Sequence, residues 1–460
     1  MSRFIGRESE LKKLNEMYDG DRFEFAVVYG RRRVGKTTLI DEFCKEKKTI
    51  FFAAMETDAK RNLEALSAAV FSVCGTRYGE ASFSSFQAAF DTVAELARSE
   101  RLVFVIDEYP YLAAGDRSIS SILQNTIDRK FKGTKLLLIL CGSSMSFMEN
   151  QVLGYQSPLY GRRTAQFKVL PFDYRETAAW FPHYSAEEKL LIYGITGGIP
   201  MYLEEIRQNK SVDENIIDNI LSRNAMLFEE PSNLLKQELR EPQTYNSIIT
   251  AVADGKTKLS EISGTVGIES GTCTKYINNL ITLGIIKRET PITESGNKSI
   301  YLIADGLFRF WYRFVPKNIS AIMSGKLKEI YPIMIKPQLS DFMGLVFEEV
   351  CKQYLERYAS LPILAGTVGQ WWGGNPRTKK QAQIDIVVLS PDEKEGIVGS
   401  CKYKNEKIGL DELELLKDYA SAMGGNRNYY YYIFSKSGFT QGLENASDSV
   451  KSVTLKELFD

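Results

Sequence analysis

The chain has 460 residues, of which 44% are hydrophobic and 25% are charged. That composition is typical of a globular protein with room for about three domains. Because 58 basic residues balance 58 acidic ones, the net charge neither favours nor excludes a nucleic-acid partner, and any basic binding surface must be local.

Cysteine and histidine usage excludes several kinds of site. The six cysteines lie far apart without a C-x-x-C pair, which is typical of reduced thiols and disfavours a disulfide framework or a zinc site. The one histidine, His183, has no second histidine with which to form a metal cluster. No apolar run has the length of a membrane span and the N-terminus lacks an apolar signal core, so we expect a cytoplasmic protein without a membrane partner.

The first strong motif follows an apolar strand that begins near Phe23. The spacing Gly30-x-x-x-x-Gly35-Lys36-Thr37 between this strand and a helix predicted over 36–45 is that of a phosphate-binding loop. In such a loop the backbone amides surround the phosphates, the lysine adds a positive charge and the threonine hydroxyl can ligate Mg²⁺. The motif predicts a site for ATP and Mg²⁺ that consists of Gly30, Arg31, Arg32, Arg33, Val34, Gly35, Lys36, Thr37 and Thr38.

Two further apolar runs predict buried parallel strands of the same sheet. The first is Thr49–Ala53, and the second, within 101–108, ends in Asp107 and Glu108. Ligands of such sheets bind at the carboxyl ends of the strands, so Asp107 is expected to hold Mg²⁺ and Glu108 to polarise the attacking water. The adjacent acids favour an ATPase of the ASCE type over a GTPase, whose base-reading N-K-x-D segment is absent from the sequence.

A fourth predicted strand, over 135–142, is followed by two serines and then by an arginine pair. Ser143 can hydrogen-bond the γ-phosphate or the attacking water, although the same sequence also fits a simple turn after the strand. Arg162 and Arg163 can stabilise transition-state charge, from within the chain or from a neighbouring subunit. Surface salt bridges are the alternative interpretation of the pair.

Over about its first 240 residues the chain resembles the archaeal-type ATPases, a group of AAA+-like and STAND P-loop enzymes. The resemblance is based on the opening FIGRESEL, the P-loop, the IDE strand end, the GSS that follows the next strand, and SPLYGRRT. It implies that the opening segment lies beside the adenine, and that the proline of GGIP, Pro200, lies against the nucleotide. Taken alone, GGIP predicts only a turn before a helix. The segment implied on the base side consists of Phe4, Ile5, Gly6 and Arg7.

Residues 242–303 have the pattern of a winged helix. Helices are predicted over Tyr245–Ala253, Leu259–Val266 and 272–283, followed by a hairpin with its turn at Ser295, Gly296 and Asn297. The third helix carries one clear cation, Lys275, and a DNA-reading helix usually carries more. Contact with DNA and a structural role that relays the nucleotide state therefore both remain open. The predicted wing adds Lys287, Arg288 and Lys298.

An aromatic-rich helix is predicted over 305–315, with the spacing of a core-packing helix. A linker is expected after it, because Pro316, Pro332 and Pro337 follow in the next two dozen residues.

The last domain resembles the PD-(D/E)XK restriction-endonuclease fold that ends many archaeal-type ATPases. This resemblance implies that Glu348 is the helix acid, Asp385 the first strand acid and Lys402 the lysine, which together would hold Mg²⁺ against a phosphodiester. Ser400 stands where that pattern has Glu or Gln, and a neutral hydroxyl is a poor Mg²⁺ ligand. We therefore expect the restriction-endonuclease fold in this domain, but we do not expect nuclease activity. Three nearby acids could replace the missing carboxylate: Glu395, Glu412 and Glu414.

We therefore expect an α/β protein. It combines an ASCE-type P-loop parallel sheet (1–170), a helical lid (171–240), a winged helix (241–316) and a restriction-endonuclease-like domain (317–460) whose catalytic site is expected to be degenerate. The function that the motifs favour is an ATP-hydrolysing molecular switch that couples its nucleotide state to DNA or to a protein partner. The alternatives are an ATP-gated, Mg²⁺-dependent nuclease and a non-catalytic DNA-binding regulator. A homo-oligomer is expected if the arginine pair acts across a subunit boundary.

Overall fold

The structure is a computed structural model that describes residues 4–74, 82–292, 298–425, 427–447 and 449–460. The chain divides into two compact units. The first contains the chain through Pro171 together with Ile199–Met201, and the second contains Phe172–Gly198 and Tyr202–Asp460.

The first unit is a parallel sheet between helices. Its strands are β1 (Glu24–Tyr29), β2 (Thr49–Ala53), β3 (Leu102–Asp107), β4 (Leu136–Gly142) and β5 (Ala165–Lys168). Its helices are α1 (Glu8–Asp19), α2 (Lys36–Cys44), α3 (Ala59–Val73), α4 (Phe86–Ser99), α5 (Tyr109–Gly115), α6 (Ile119–Arg129) and the single turn α7 (Met145–Phe147).

The strand order is β2-β3-β4-β1-β5, and all neighbours in it are parallel. Along β1, Phe25 and Val27 pack into one apolar cluster, whereas Ala26 and Val28 pack into another on the opposite face. Both faces are therefore buried, which explains why these strands read as unbroken apolar runs in the sequence. Because β4 lies between β1 and β3, the residues that follow β4 lie beside those that follow β1 and those that follow β3. The predicted parallel P-loop sheet is confirmed.

The second unit begins with helices. These are α8 (Tyr174–Trp180), α9 (Ala186–Thr196), α10 (Pro200–Glu204, which starts in the first unit), α11 (Val212–Asn215) and α12 (Met226–Glu238). Next come α13 (Pro242–Ala253), α14 (Leu259–Val266), α15 (Ser270–Thr282), β6 (Ile286–Glu289) and β7 (Ile300–Ile303). The three helices and the antiparallel β6–β7 pair follow the predicted order. The predicted turn at Ser295, Gly296 and Asn297 lies outside the described residues.

The predicted linker after residue 315 is wrong. Helix α16 runs from Gly306 to Met323 and contains Pro316, while Pro332 and Pro337 lie in short π- and 3₁₀-helical turns. A buried aromatic face outweighs the missing proline N–H in α16, because residues such as Phe310 and Phe314 are almost fully buried. The predicted core-packing role of the 305–315 segment is thus confirmed, and the domain boundary that we placed after residue 316 falls inside this helix.

The rest of the second unit is a mixed sheet with flanking helices. Its helices are α17 (Leu327–Ile330), α18 (Leu339–Arg357), α19 (Leu410–Met423), α20 (Gln441–Glu444) and α21 (Leu455–Phe459). Its strands are β8 (Thr367–Gly374), β9 (Gln381–Leu389), β10 (Glu395–Lys402), β11 (Asn428–Ser435) and β12 (Val450–Thr454), in the order β12-β11-β10-β9-β8. Strands β8, β9 and β10 pair antiparallel, and β10, β11 and β12 pair parallel.

Candidate functional site

The loop between β1 and α2 is folded so tightly that its first glycine admits no side chain. A Cβ atom on Gly30 would lie 2.3 Å from the carbonyl oxygen of Val169. At the other end, Gly35 has a φ of 83° and Arg33 a φ of 74°, a left-handed conformation that favours glycine. The loop therefore presents backbone where other residues would present side chains, as a cradle for phosphate groups requires.

Lys36 begins α2 and is only 6% exposed. Its ammonium donates a hydrogen bond to the carbonyl oxygen of Arg31 at 3.0 Å, so it points back over the loop. Burial lowers the pKa of Lys36, and the nearby Glu108 and Asp107 carboxylates oppose that effect. A desolvated cation at the head of a helix is a favourable partner for an anion.

The structure brings together the two residues that we assigned to Mg²⁺. The Thr37 hydroxyl donates to one carboxylate oxygen of Asp107 at 3.0 Å, and the backbone N–H of Glu108 donates to the other at 2.9 Å. Burial, together with the neighbouring Asp107 carboxylate, raises the pKa of Cys141 well above its ordinary value, so it remains a neutral thiol. One hydroxyl and one carboxylate side by side are the hard oxygen ligands that Mg²⁺ prefers, so the residues present fit this ion.

Glu108 and Ser143 also meet, because β3 and β4 are neighbours. The Ser143 hydroxyl lies 2.8 and 2.9 Å from the two carboxylate oxygens of Glu108, and the Ser143 backbone N–H donates to one of them at 3.3 Å. Glu108 itself has a φ of 48°, an uncommon conformation for a residue other than glycine. The strained backbone and the serine together fix the direction of this carboxylate at the end of the sheet.

The opening segment lies against the same loop. Arg7 is 7% exposed, and its guanidinium donates to the carbonyl oxygens of Val34, at 3.3 Å, and of Leu170. Phe4 packs against the apolar cluster on one face of the sheet. Pro200 contributes a ring carbon 3.6 Å from the position that a Cβ on Gly35 would take. The roles of Phe4, Ile5, Gly6 and Arg7 beside the base and of Pro200 against the nucleotide stay predictions.

The arginine pair is placed differently from the residues above. The Arg162 guanidinium contacts one carboxylate oxygen of Asp128 at 3.0 and 2.6 Å and donates to the carbonyl oxygens of Pro158 and Tyr160. These bonds commit the Arg162 guanidinium to Asp128 of α6 and to carbonyl oxygens of its own segment. Whether Arg162 or Arg163 acts on a phosphate stays a prediction.

Two contacts at this site are not predicted by any sequence motif. Arg32 donates to the Tyr111 hydroxyl at 2.7 Å, and Cys141 contacts Asp107 from the neighbouring strand. Tyr111 lies one helical turn after Glu108, and that spacing is the one signal in the sequence that places it near the site.

The second candidate site, on β9, β10 and the helices beside them, gathers the residues of the supposed nuclease remnant. The Ser400 hydroxyl donates to a carboxylate oxygen of Glu412 at 2.7 Å, and the Lys402 ammonium lies 3.1 Å from the same oxygen. Asp385 accepts a hydrogen bond from the backbone N–H of Cys401 at 2.8 Å. Burial and the neighbouring Asp385 carboxylate raise the pKa of Glu348 to about 8.

Of the three acids that could replace the missing carboxylate, the structure thus selects Glu412. Its position on α19, twelve residues after Ser400, explains why spacing alone could not identify it. Within the described ranges, no group of three or more His, Cys, Asp or Glu residues is arranged to hold a metal ion. In this half-buried charge network the Glu412 carboxylate balances the Lys402 ammonium.

One cation of the predicted wing contacts an acid of α18. Lys287 lies 3.0 Å from Glu289 and 3.9 Å from Glu349 of α18, and Arg309 contacts the other carboxylate oxygen of Glu349 at 3.6 Å. Burial opposes the charged form of Lys287, but the Glu349 and Glu289 carboxylates more than compensate and raise its pKa. Lys275, in contrast, is exposed on α15.

Comparisons with known proteins agree with this site. Residues 4–206 match the model of an ATPase domain predominantly from Archaea, and residues 311–414 match a model described as archaeal and bacterial proteins of unknown function. An uncharacterized protein of Methanocaldococcus jannaschii is 34% identical over 411 residues, which cover 88% of each chain.

Two solved structures are similar in outline. A Walker-type ATPase of Pyrococcus abyssi aligns with a TM-score of 0.49 and 21% identity over 68% of this chain and 96% of that one. The ORC2 protein of Aeropyrum pernix, solved as ADPNP and ADP complexes, aligns with a TM-score of 0.46 and 12% identity over 72% and 97%. In the part of the chain that the structure describes, no helix is long and apolar enough to cross a membrane. The matched domain, the long relative and the phosphate-loop geometry agree, and the chain belongs to the archaeal ATPase family.

Proposed function

We propose that this protein binds ATP with Mg²⁺ at the β1–α2 loop, hydrolyses it, and uses the change in nucleotide state to control binding of DNA or a protein partner. The observation that carries the proposal is the side-by-side placement of Thr37 and Asp107, 3.0 Å apart, next to a Glu108 that Ser143 holds in one orientation.

Each residue has a separate task in this proposal. The backbone between Gly30 and Gly35 and the Lys36 ammonium bind the phosphates. Thr37 and Asp107 would hold Mg²⁺, which supplies a positive charge against the phosphate oxygens. Glu108 orients and polarises the attacking water, and Ser143 keeps the Glu108 carboxylate aimed at it.

The test separates binding from turnover. Lys36→Ala should lose ATP affinity, since it removes the buried cation of the loop. Glu108→Gln should bind ATP with near-parental affinity but hydrolyse it at least about 100-fold more slowly, because an amide cannot accept the proton. Lys13→Ala and Glu95→Gln are matched controls on exposed helix surfaces and should behave like the parent. Parental hydrolysis by Glu108→Gln would show that the base has been wrongly assigned.

Coupling to DNA is the finer part of the proposal. Helix α15 presents Lys275 with the polar side chains of Thr272 and Asn278 on its exposed side, and these residue types contact phosphates and base edges. Fluorescence anisotropy with labelled duplex DNA, in ADP and in a non-hydrolysable ATP analogue, measures the coupling directly. Equal affinity in both nucleotides would leave a protein partner as the target of the switch.

A homo-oligomer belongs to the same proposal. Arg162 or Arg163 would then act on a nucleotide in a neighbouring subunit, and sedimentation velocity with and without the ATP analogue would show a nucleotide-dependent change in mass. If Arg162→Ala sediments and hydrolyses ATP like the parent, Arg162 has no such role.

The nuclease alternative has one favourable observation, the Glu412 carboxylate between Ser400 and Lys402. Linear and supercoiled DNA should be incubated with the protein and Mg²⁺ or Mn²⁺, with and without ATP, alongside Asp385→Ala and Glu412→Gln. Cleavage that disappears in both variants would establish the activity. Intact DNA in every sample would assign this region to binding or assembly instead.

A further inference from the structure

One tyrosine connects the phosphate loop to the residue that handles the attacking water. The Arg32 side chain, midway along the loop, donates to the Tyr111 hydroxyl at 2.7 Å. Tyr111 belongs to the first turn of α5, and its backbone N–H donates to the carbonyl oxygen of Glu108 at 2.9 Å. Two consecutive hydrogen bonds therefore link Arg32 to the segment that carries Glu108.

Arg32 and Lys36 belong to the same glycine-flanked loop, four residues apart, and each carries a positive charge. Two like charges at one glycine-lined loop are stabilised by a polyanion between them. Arg32 is also linked, through Tyr111, to the segment that carries Glu108, the residue proposed to act on the attacking water.

We propose that Arg32 is a second phosphate-binding cation, specific for the γ-phosphate, and that Tyr111 positions it and couples it to Glu108. This inference rests on the proposed ATP site and adds to it an arginine that acts from within the same chain. Arg162 is bound to Asp128, so Arg32 takes the phosphate-side task for which the sequence suggested Arg162 or Arg163. Tyr111 is a positioning residue, since it touches the arginine and not the phosphate.

The measurement compares a triphosphate with a diphosphate. Calorimetric titration with ATPγS and with ADP, both with Mg²⁺, gives two affinities for each variant. Arg32→Ala should weaken ATPγS binding by about 10- to 100-fold, as expected for loss of a charge-assisted contact, and change ADP binding by less than about threefold. Arg32→Lys should recover part of the ATPγS affinity because it keeps the charge. Equal losses for both nucleotides would overturn γ-phosphate specificity.

A test of the positioning role of Tyr111 requires a measurement that a change in protein stability alone would not affect. Tyr111→Phe removes one hydroxyl and should lower kcat about fivefold with little change in ADP affinity, while Tyr155→Phe, which alters an exposed ring, serves as the matched control. In the Arg32→Ala background, Tyr111→Phe should have no further effect, because their contact is already lost. Additive losses in the double variant would refute the coupling.

The same titrations distinguish failure of the proposed function from failure of the role proposed for Arg32. If the parent binds neither ATPγS nor ADP, the proposed function fails. If the parent binds and hydrolyses ATP, and Arg32→Ala keeps the parental ratio of the two affinities, the proposed function stands and this inference alone is refuted.

Discussion

Substitution of Gly30 by alanine tests the geometry of the phosphate loop. The added Cβ would lie 2.3 Å from the Val169 carbonyl oxygen, a distance that real Cβ atoms essentially never show. Val169 cannot simply move away, since its backbone N–H donates to the carbonyl oxygen of Tyr29 at 2.7 Å. Overpacking of this kind destabilises by roughly 1–3 kcal/mol and a broken backbone hydrogen bond adds about 1 kcal/mol, so we expect a loss of about 2–4 kcal/mol.

The assay must report on the first unit by itself. Tryptophan fluorescence cannot, because the four tryptophans all belong to the second unit: Trp180, Trp311, Trp371 and Trp372. Hydrogen exchange with mass spectrometry resolves peptides from β1 and β5 instead. A loss of about 2–4 kcal/mol corresponds to about 30- to 700-fold faster exchange of the amides that open with the whole unit.

Gly133→Ala is the matched control, because a Cβ there meets nothing within 4 Å. It should leave exchange in β1 and β5 unchanged. Equal exchange rates for Gly30→Ala and Gly133→Ala would refute the argument that the loop requires glycine at its first position for steric reasons.

Three further outcomes are expected. Ser143→Ala should lower kcat about tenfold with ATP affinity retained, because the Glu108 carboxylate loses its hydroxyl donor; an unchanged kcat in a steady-state assay would contradict this. Burial and Asp385 raise the pKa of Glu348 from 4.5 to about 8, so the folded state binds a proton that the unfolded chain does not, and stability should fall as the pH rises between those values. Glu348→Gln should flatten this dependence, as measured by urea midpoints from tryptophan fluorescence at pH 5, 7 and 9. Lys275→Ala should reduce the slope of log affinity for DNA against log salt by about one, and an identical slope would exclude it from the interface.

The sheet and its phosphate loop were predictable from sequence because each signal there is local. A strand buried on both faces is an unbroken apolar run, and a glycine loop has fixed spacing, so β2 was predicted with its observed bounds, Thr49–Ala53. The pairing of Thr37 with Asp107 followed from the same logic, since both stand at the carboxyl edge of one parallel sheet.

The failures involve contacts between residues that are distant in sequence. Proline chemistry predicted a linker at Pro316, but the buried aromatic residues around it keep α16 helical. Sequence named Glu412 only as one of three acids near Ser400 and Lys402, because its contact with them comes from a different element. No local pattern shows that Arg32 meets Tyr111, because that contact exists only once the loop and α5 are folded together.

The contact of Lys287 with α18 has a consequence for the protonation of Glu348 when a ligand binds the β6–β7 hairpin. The Lys287 charge partly offsets the rise in the pKa of Glu348. Glu348 lies on α18, the helix that also carries Glu349, the ion-pair partner of Lys287. A phosphate group that drew Lys287 toward itself would leave Glu348 a stronger base, and near pH 8, where its raised pKa leaves this carboxyl partly ionised, it would take up a proton from solution. Binding of a phosphate-containing ligand at the hairpin would then give a calorimetric heat that differs between buffers of different ionisation enthalpy.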